Sequence, residues 1–200
     1  MCINHVGNGQ NKNTSSCGFD IKFCTQNVRG LNNSLKRTKV FNRFKTKADV
    51  IFVQESHSTN KIENDWKNLW DGEIFFSHGS SASRGCMIMF KNTLEFSFID
   101  SKIDENGRFI FIKCIIQGNK FFLINVYGPN KEQEHKNFLY EMHNAATDFY
   151  DDEFYHVIGG GDWNFIEDLE LDKKCGIKRL WVESISQITK FKEHFDLSDI

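Results

Sequence analysis

Along this sequence, apolar and strand-like runs repeatedly end in polar residues, and this pattern limits the folds that the chain can adopt. Four of these runs are "IKFCTQNV" (21–28), "ADVIFVQE" (48–55), "KFFLINVY" (120–127) and "FYHVIGGGDWNF" (154–165). The residues at their ends that could carry chemistry are Asn27, Glu55, Tyr127, Asp162 and Asn164. Because functional groups are often placed where loops meet a rigid scaffold, these five residues form the candidate site.

The remaining hydrophobic patterns predict an α/β fold with many antiparallel strands. Further strand-like runs cover residues 73–78, 85–90, 94–100 and 107–116. Apolar residues at helical spacing predict helices over 35–47, 131–150 and about 181–194. The order strand, helix, strand at the start of the chain predicts a βαβ-like unit. The second of its strands is a continuous apolar run, as is typical of a strand that is covered on both faces.

The length and composition predict one domain. A chain of 200 residues can bury a substantial core. Residues 1–19 are rich in Asn, Gly and Ser and predict a disordered polar leader, which leaves the domain at 20–200. No apolar run is long enough to span a membrane, so no membrane association is expected. Six scattered cysteines without a C-x-x-C pair predict free thiols in a reducing, intracellular compartment.

The charge pattern argues against a general nucleic-acid coat, because such proteins are usually basic and this chain has a formal net charge of -2. It is compatible with an enzyme that meets phosphate in one local cleft. The helix predicted over 35–47 does carry a basic run, which consists of Lys36, Arg37, Lys39, Arg43, Lys45 and Lys47. Leu35, Val40, Phe41 and Phe44 would form its apolar face, so the basic run is expected to be solvated; contact with a DNA backbone is the alternative.

The residue types at the strand ends suit phosphate chemistry around a divalent cation. A carboxylate at the end of a buried strand is costly unless it is paired or bound to a metal, so Glu55 with Asn27 predicts a Mg²⁺ site. Asp162 and Asn164 lie two residues apart and are expected on one side of an extended chain. The glycines before Asp162 are expected to turn the strand so that both side chains point at one phosphate.

Each of these residues also has a plain structural interpretation. Asn27 and the "GDWN" segment could form turns, Glu55 could be a surface carboxylate, and Tyr127 could be a core aromatic residue. Their occurrence at successive strand ends favours the functional interpretation over coincidence.

Four segments, in this order along the chain, resemble one known family. "TQNVRGLN", "IFVQESH", "LINVYGPN" and "GGDWNF" are similar to the motifs of the endonuclease/exonuclease/phosphatase superfamily. The segments "GGDWNFIEDLELDK" and "FDLSDI" are most similar to those of the endonucleases of LINE (non-LTR) retrotransposons. The resemblance covers roughly residues 21–200.

The resemblance implies a four-layered α/β/β/α sandwich and Mg²⁺-dependent phosphodiester cleavage, with Mn²⁺ as an alternative metal. It implies that Glu55 binds the metal, with Asn27 completing the metal site. By the same resemblance, Tyr127 would contact the scissile phosphate and Asp162 would activate the attacking water. Asn164 would stabilise the charge that grows on the phosphoryl oxygens.

The resemblance also implies partners and a location. DNA would be the substrate, with Arg29 and Asn130 as candidate contacts to it. The reverse transcriptase domain of the same polyprotein would be the partner, and nuclear access is expected if the enzyme is active. A phosphatase that acts on a small phosphoester and a non-catalytic relic are the two alternative functions.

The sequence departs from the family pattern in one respect, because it contains no Ser-Asp-His. In the family that histidine serves in acid–base catalysis. The fold is therefore expected to be incomplete at the C-terminus, without its last strands, and the chain to be an inactive or incomplete fragment. His57, His143 and His194 are candidate substitutes, and His57 belongs to the "QESH" motif. For all three, an ordinary structural role is expected.

Overall fold

The structure is a computed structural model, and it describes residues 2–4, 21–150, 155–164 and 181–199. Its strands are β1 (Cys2–Asn4), β2 (Phe23–Asn27), β3 (Val50–Gln54), β4 (Gly72–Ser77), β5 (Cys86–Lys91), β6 (Phe96–Ile103), β7 (Phe109–Ile116), β8 (Asn119–Tyr127), β9 (His156–Asp162) and β10 (Ser198–Asp199). Its helices are α1 (Ser34–Lys47), α2 (Glu63–Trp70), α3 (Glu132–Phe149) and α4 (Val182–His194). A short 3-10 helix, Asn60–Ile62, precedes α2.

The strands form two sheets whose connections position the site. One sheet has the order β2-β3-β5-β4, and its first two strands are parallel and joined through α1. The other has the order β10-β1-β9-β8-β7-β6, and β8 and β9 are parallel and joined through α3. The remaining strand pairs are antiparallel. The predicted βαβ-like start is therefore confirmed, and each sheet contains one parallel pair whose carboxyl ends lie at the same edge.

Three apolar layers hold the sandwich together. The inner faces of the two sheets pack on each other through side chains such as Phe52, Ile88, Ile112 and Leu123, which are almost completely buried. The helices α1 and α2 cover the outer face of the smaller sheet, with Trp66 and Trp70 of α2 among the buried residues. The helices α3 and α4 cover the larger sheet. The predicted four-layered α/β/β/α architecture is confirmed.

The glycine segment 159–161 differs from its prediction. The prediction that these glycines turn the strand is wrong, because β9 continues through all three of them to Asp162. A Cβ atom at Gly160 would lie 2.6 Å from Cδ2 of Phe52, which belongs to the facing sheet. Glycine is therefore needed at this position so that the two sheets can approach each other closely.

Residues 2–4 of the predicted disordered leader form a strand in the structure. This strand, β1, pairs antiparallel with both β9 and β10, so its backbone groups have ladder partners on both sides. The other leader residues lie outside the described residues. In the described part of the chain, the helices are all too short or too polar to cross a membrane.

The basic run of α1 is only partly solvated. Lys36, Lys39, Arg43 and Lys47 are exposed, as predicted. However, the guanidinium of Arg37 donates to the carbonyl of Leu31 and lies over the ring of Trp66. The ammonium of Lys36 donates to the carbonyls of Val28 and Arg29, at 2.7 and 2.9 Å, so this cation holds the loop that follows Asn27.

The apolar face of α1 is narrower than predicted. Phe41 and Phe44 are buried, as the spacing indicated, but Leu35 is 73% exposed. Leu35 lies in the first turn of the helix, and its predicted place in the core is wrong because the buried stripe begins only at Phe41, six residues further along.

Two cysteines of the core behave as small apolar residues. Cys86 and Cys114 are completely buried, and burial raises the pKa of both thiols, that of Cys114 to about 12. Cys86 and Cys114 are free thiols, as predicted.

Candidate active site

The five candidate residues all lie at one edge of the sandwich. Asn27 is the last residue of β2 and Glu55 directly follows β3, the parallel neighbour of β2. Tyr127 and Asp162 are the last residues of β8 and β9 and stand opposite each other in the parallel ladder. Asn164 follows two residues later. The structure therefore brings the predicted site residues of both sheets to the same edge.

Asn27 joins the two sheets at this edge. Its Nδ2 donates to Oε1 of Glu55 at 2.7 Å and to Oδ2 of Asp162 at 2.8 Å. Only the nitrogen of the amide can donate to both carboxylates, which sets the orientation of the group. The oxygen, Oδ1, is turned away and accepts from the backbone N–H of Arg29 at 3.1 Å. The three side chains are half-buried, so water competes only in part for their hydrogen bonds to one another.

Glu55 reaches the site through an unusual backbone conformation. Side chains alternate along a strand, and because Gln54 faces the other sheet, a regular strand would turn Glu55 outward. The φ angle of Glu55 is 54°, in the left-handed region, and this re-aims the carboxylate toward Asn27. Left-handed conformations of residues other than glycine cost free energy and cluster at functional sites.

His57 also faces the site, which the sequence did not indicate. Its φ angle is 57°, and its Nε2 lies 4.0 Å from Oε2 of Glu55. Its ring packs on Gly30, where an added Cβ atom would lie 2.7 Å from Nδ1. The other two candidate histidines, His143 and His194, pack against each other on α3 and α4, with their ring centres 5.2 Å apart.

A chain of hydrogen bonds supports the turn that carries Glu55 and His57. Oγ of the buried Ser56 donates to Oγ of Ser58, which is 3.0 Å from Nδ1 of His78. Nε2 of His78 lies 2.7 Å from Oε1 of Glu63. Although burial opposes ionisation, the His78 hydrogen bond and the charge of Lys67 together hold the pKa of Glu63 below its ordinary value. These hydrogen bonds stabilise the turn that carries Glu55 and His57.

Tyr127 is a neutral hydrogen-bond donor. It is buried, and burial, with the nearby charge and hydrogen bond of Glu55, raises its pKa to about 12. The guanidinium of Arg108 lies 5.1 Å from the centre of the Tyr127 ring and donates to the carbonyls of Tyr127 and Gly128. Burial, followed by the charge of Arg84, lowers the pKa of Arg108. The sequence prediction missed Arg108, although an arginine at the start of the apolar run 107–116 was a usable signal.

Asp162 and Asn164 approach each other through a turn. Asn164 has a φ angle of 54°, so the prediction that both residues lie on an extended chain is wrong. The N–H of Asn164 donates to Oδ1 of Asp162 at 3.3 Å, and Nδ2 of Asn164 donates to the carbonyl of Gly128 at 2.9 Å. Local side-chain hydrogen bonds of this kind stabilise left-handed asparagine residues.

The turn is anchored from the outer helices. Nε2 of the fully buried His135, in α3, lies 2.6 Å from the carbonyl oxygen of Trp163, and its Nδ1 lies 3.0 Å from Oγ of Ser184 in α4. Burial lowers the pKa of His135, so the imidazole is neutral and donates through Nε2. An added Cβ atom at Gly128 would lie 2.2 Å from the same carbonyl oxygen, which explains the glycine there.

The two residues predicted to contact the substrate, Arg29 and Asn130, differ in how they are tied to the site. Arg29 is exposed beside the site, and its backbone N–H binds Asn27. Asn130 is exposed, two residues beyond Gly128, and no hydrogen bond in the described residues ties it to the five site residues. Both assignments remain predictions.

The donors at this edge fit a hard divalent cation. Mg²⁺ usually takes one or two carboxylates and keeps several waters for substrate oxygens. Glu55 and Asp162 supply two carboxylates that are held together by one amide. In the described ranges, no cluster of three or more His, Cys, Asp and Glu side chains offers a closed metal cage. Because Oδ1 of Asn27 faces Arg29, the predicted ligand role of Asn27 requires the amide to rotate; as placed, it orients the carboxylates.

Comparison with solved structures identifies the fold. An AP endonuclease from Archaeoglobus fulgidus matches with a TM-score of 0.63 and 22% identity, over 87% of this chain and 70% of that one. The endonuclease domain of TRAS1, a telomere-specific non-LTR retrotransposon, matches with a TM-score of 0.56 and 12% identity, over 86% and 70% of the two chains. The chain has the endonuclease/exonuclease/phosphatase fold. This confirms the fold that the four sequence motifs implied.

The sequence comparisons add one curated relative. The uncharacterized 149 kDa protein of transposon TX1 from Xenopus laevis is 27% identical over 181 residues. These residues make up 90% of this chain but only 14% of that protein, so the chain spans about one seventh of its relative. No family model matches the sequence. Within the endonuclease/exonuclease/phosphatase fold, this chain is thus similar to a transposon protein in sequence and to a retrotransposon endonuclease domain in structure.

Proposed function

We propose that this chain is a divalent-metal-dependent DNA endonuclease of the LINE retrotransposon type. The observation that carries the proposal is the amide of Asn27, which holds Glu55 and Asp162 together across the two sheets. Two converging carboxylates at an accessible sheet edge suit a metal-assisted phosphodiester cleavage. The similarity to a transposon protein and to the TRAS1 endonuclease domain supports a nuclease and DNA as its substrate.

The proposed mechanism assigns a separate task to each side chain. A cation bound at Glu55 would supply Lewis-acid stabilisation of the phosphate oxygens. Asp162 accepts from Asn27 and from the N–H of Asn164, and its remaining lone pairs would orient the attacking water and receive a proton from it. As the water oxygen bonds to phosphorus, the ester P–O bond breaks, and the leaving oxygen would take its proton from solvent. The neutral phenol of Tyr127, whose single proton is directed to Glu55 here, would turn to donate it to a phosphoryl oxygen once a cation occupies that carboxylate. The second amide hydrogen of Asn164 donates to the same phosphate as negative charge develops there.

Positive charge beside the carboxylates supports DNA as the substrate. Arg29, Arg84 and Arg108 lie in the loops or at the strand start next to the site, although the whole chain has a net charge of -2. A local cationic rim around a carboxylate centre would bind the phosphates that flank the cleaved bond. The polyprotein context, with a reverse transcriptase domain as partner and with access to the nucleus, belongs to the same proposal.

Because the sequence contains no Ser-Asp-His motif, the rate of nicking is expected to be low. General acid–base catalysis contributes about 10²- to 10⁴-fold, so nicking by the 200-residue chain is expected to be slow by about that factor. Added imidazole should restore part of the rate by supplying the missing acid–base group.

The test is a plasmid nicking assay with the 200-residue chain, with Mg²⁺ or Mn²⁺ against EDTA and with or without imidazole. Glu55→Gln and Asp162→Asn should abolish metal-dependent nicking, whereas the exposed control substitutions Glu105→Gln and Asp148→Asn should not change it. Metal-dependent nicking that persists in both site variants would overturn the proposal. Phosphate release from a small phosphoester without nicking would favour a phosphatase instead, and DNA binding without cleavage, unchanged in Glu55→Ala, would favour a non-catalytic relic.

A further inference from the structure

A polar bridge lies between the two sheets, directly below the candidate site. Gln54 of β3 and Asn125 of β8 face each other across the sandwich, and both are completely buried. Nε2 of Gln54 donates to Oδ1 of Asn125 at 2.7 Å. Burying two amides costs free energy that apolar side chains of the same size would not, so their presence needs a reason.

Asn125 also binds the backbone of the opposite sheet. Its Nδ2 donates to the carbonyl oxygens of Val53 at 3.0 Å and of Met87 at 2.8 Å. Val53 and Met87 are the last paired residues of the ladder between β3 and β5. A side chain of the larger sheet therefore binds the smaller sheet at the point where β3 leaves its partner and turns toward Glu55.

The bridge extends to a third strand of the smaller sheet. Nε2 of Gln54 donates a second hydrogen bond, at 3.0 Å, to Oγ1 of Thr25 in β2. Thr25 precedes Asn27 by two residues, Gln54 precedes Glu55 by one, and Asn125 precedes Tyr127 by two. Along these strands, the residues that face the other sheet are first apolar, then belong to the polar bridge, and are followed by the residues of the candidate site.

We propose that Thr25, Gln54 and Asn125 are positioning residues, which set the register of the two sheets so that Asn27 reaches Asp162. This inference rests on the proposed endonuclease function. An apolar layer would permit the sheets to slide relative to each other, whereas directional hydrogen bonds fix one relative position. A misplacement of 1 Å can cost a catalytic site about 10²-fold in rate. The 2.8 Å hydrogen bond between Asn27 and Asp162 spans the sheets and depends on that register.

Thr25 permits a test that leaves the core intact, because it is half-buried on the edge strand of the smaller sheet. Thr25→Val keeps the shape of the side chain but removes the acceptor for Gln54, whereas Thr25→Ser keeps the hydroxyl. Thr93→Val, at an exposed turn, is the matched control. Two quantities are measured in the 200-residue chain: the NMR resonances of the Asn27 side-chain amide, and kcat and KM for nicking.

The expected result is that Thr25→Val shifts the Asn27 amide resonances and lowers kcat about tenfold, with a change in KM of less than about twofold. Thr25→Ser and Thr93→Val should behave as the parent chain does. The proposal is overturned if Thr25→Val leaves the Asn27 resonances unchanged, or if Thr25→Ser is as impaired as Thr25→Val. The NMR measurement does not depend on cleavage, so it decides the inference even if the parent chain proves not to be a nuclease.

Discussion

The side-chain amide of Asn27 donates a 2.8 Å hydrogen bond to the carboxylate of Asp162, which belongs to the other sheet. The two residues are 135 positions apart in the sequence. Their contact forms only when both parallel strand pairs end at the same edge and the sheets take up one register. The site is therefore a product of the whole fold, and small changes in sheet packing should act on it directly.

The first prediction concerns the charge balance at this contact. Asn27→Asp replaces the shared donor with a third carboxylate, so the free energy of unfolding in EDTA should fall by about 1–3 kcal/mol. Mg²⁺ should restore more stability to this variant than to the parent chain, because a cation offsets the added charge. Thermal denaturation with and without Mg²⁺ measures both effects.

The exposed substitution Asn42→Asp is the matched control for this prediction, since it adds the same charge on the outer surface of α1. Equal Mg²⁺ stabilisation of the two variants would contradict a cation site at Glu55 beside residue 27.

The second prediction concerns Tyr127, whose pKa is raised to about 12, mainly by burial. Its phenol stays neutral up to about pH 11, so Tyr127→Phe should lower the nicking rate at every pH without moving the pH profile. The pKa of Tyr127 is higher in the folded chain than the ordinary value of about 10. The free energy of unfolding should therefore fall as the pH rises from about 10 to 12, because the unfolded chain releases this proton first. Spectrophotometric titration should show a late-ionising tyrosine signal that decreases in Tyr127→Phe.

The exposed Tyr140, substituted by Phe, serves as the comparison for that titration. A late-ionising signal of the same size in Tyr127→Phe would show that the raised pKa was assigned to the wrong residue.

The strand-end pattern made most of the fold and the site predictable. Each apolar run became a strand, and the polar residues at the ends of β2, β3, β8 and β9 came together, because parallel pairs align their carboxyl ends. The helix α2 was missed, although Trp66 and Trp70 stand four residues apart and both are buried. A single turn pair within the charged segment 63–70 is a weak periodic signal.

Features that depend on tertiary contact could not be predicted. The left-handed backbone of Glu55 accompanies a hydrogen bond to Asn27, which lies 28 residues earlier, and a glutamate by itself carries little sign of that conformation. Likewise, the glycines of β9 were interpreted as a turn because glycine most often marks one. Their actual role at Gly160 follows from the ring of Phe52, more than one hundred residues earlier in the chain.

The third prediction concerns pH and the buried His135. Burial lowers its pKa below the ordinary value of about 6.5, so the unfolded chain binds more protons than the folded chain in the window below that value. Stability is therefore complete above about pH 6.5 and falls as the pH drops toward the folded-state pKa. Denaturant unfolding measured from pH 8 to pH 5 should show this loss, and His135→Gln should reduce it.

The half-buried His143, whose pKa is also lowered by burial and by His194, is the comparator for that experiment. His143→Gln should remove a smaller part of the pH dependence, because its imidazole is less buried. If His135→Gln leaves the slope of stability against pH unchanged, the buried histidine does not control it.

The fourth prediction tests the close approach of the sheets at Gly160. Gly160→Ala would bring a methyl group to 2.6 Å from Cδ2 of Phe52, which the packed core cannot accommodate without movement. The free energy of unfolding should fall by about 1–3 kcal/mol. Phe52→Leu frees space at the contact. The free energy of unfolding lost in the double variant should therefore be smaller than the sum of the two single losses, by about 0.5 kcal/mol or more. Urea unfolding of the four proteins of this cycle measures the coupling, and strictly additive losses would mean that the ring of Phe52 does not require glycine at this position.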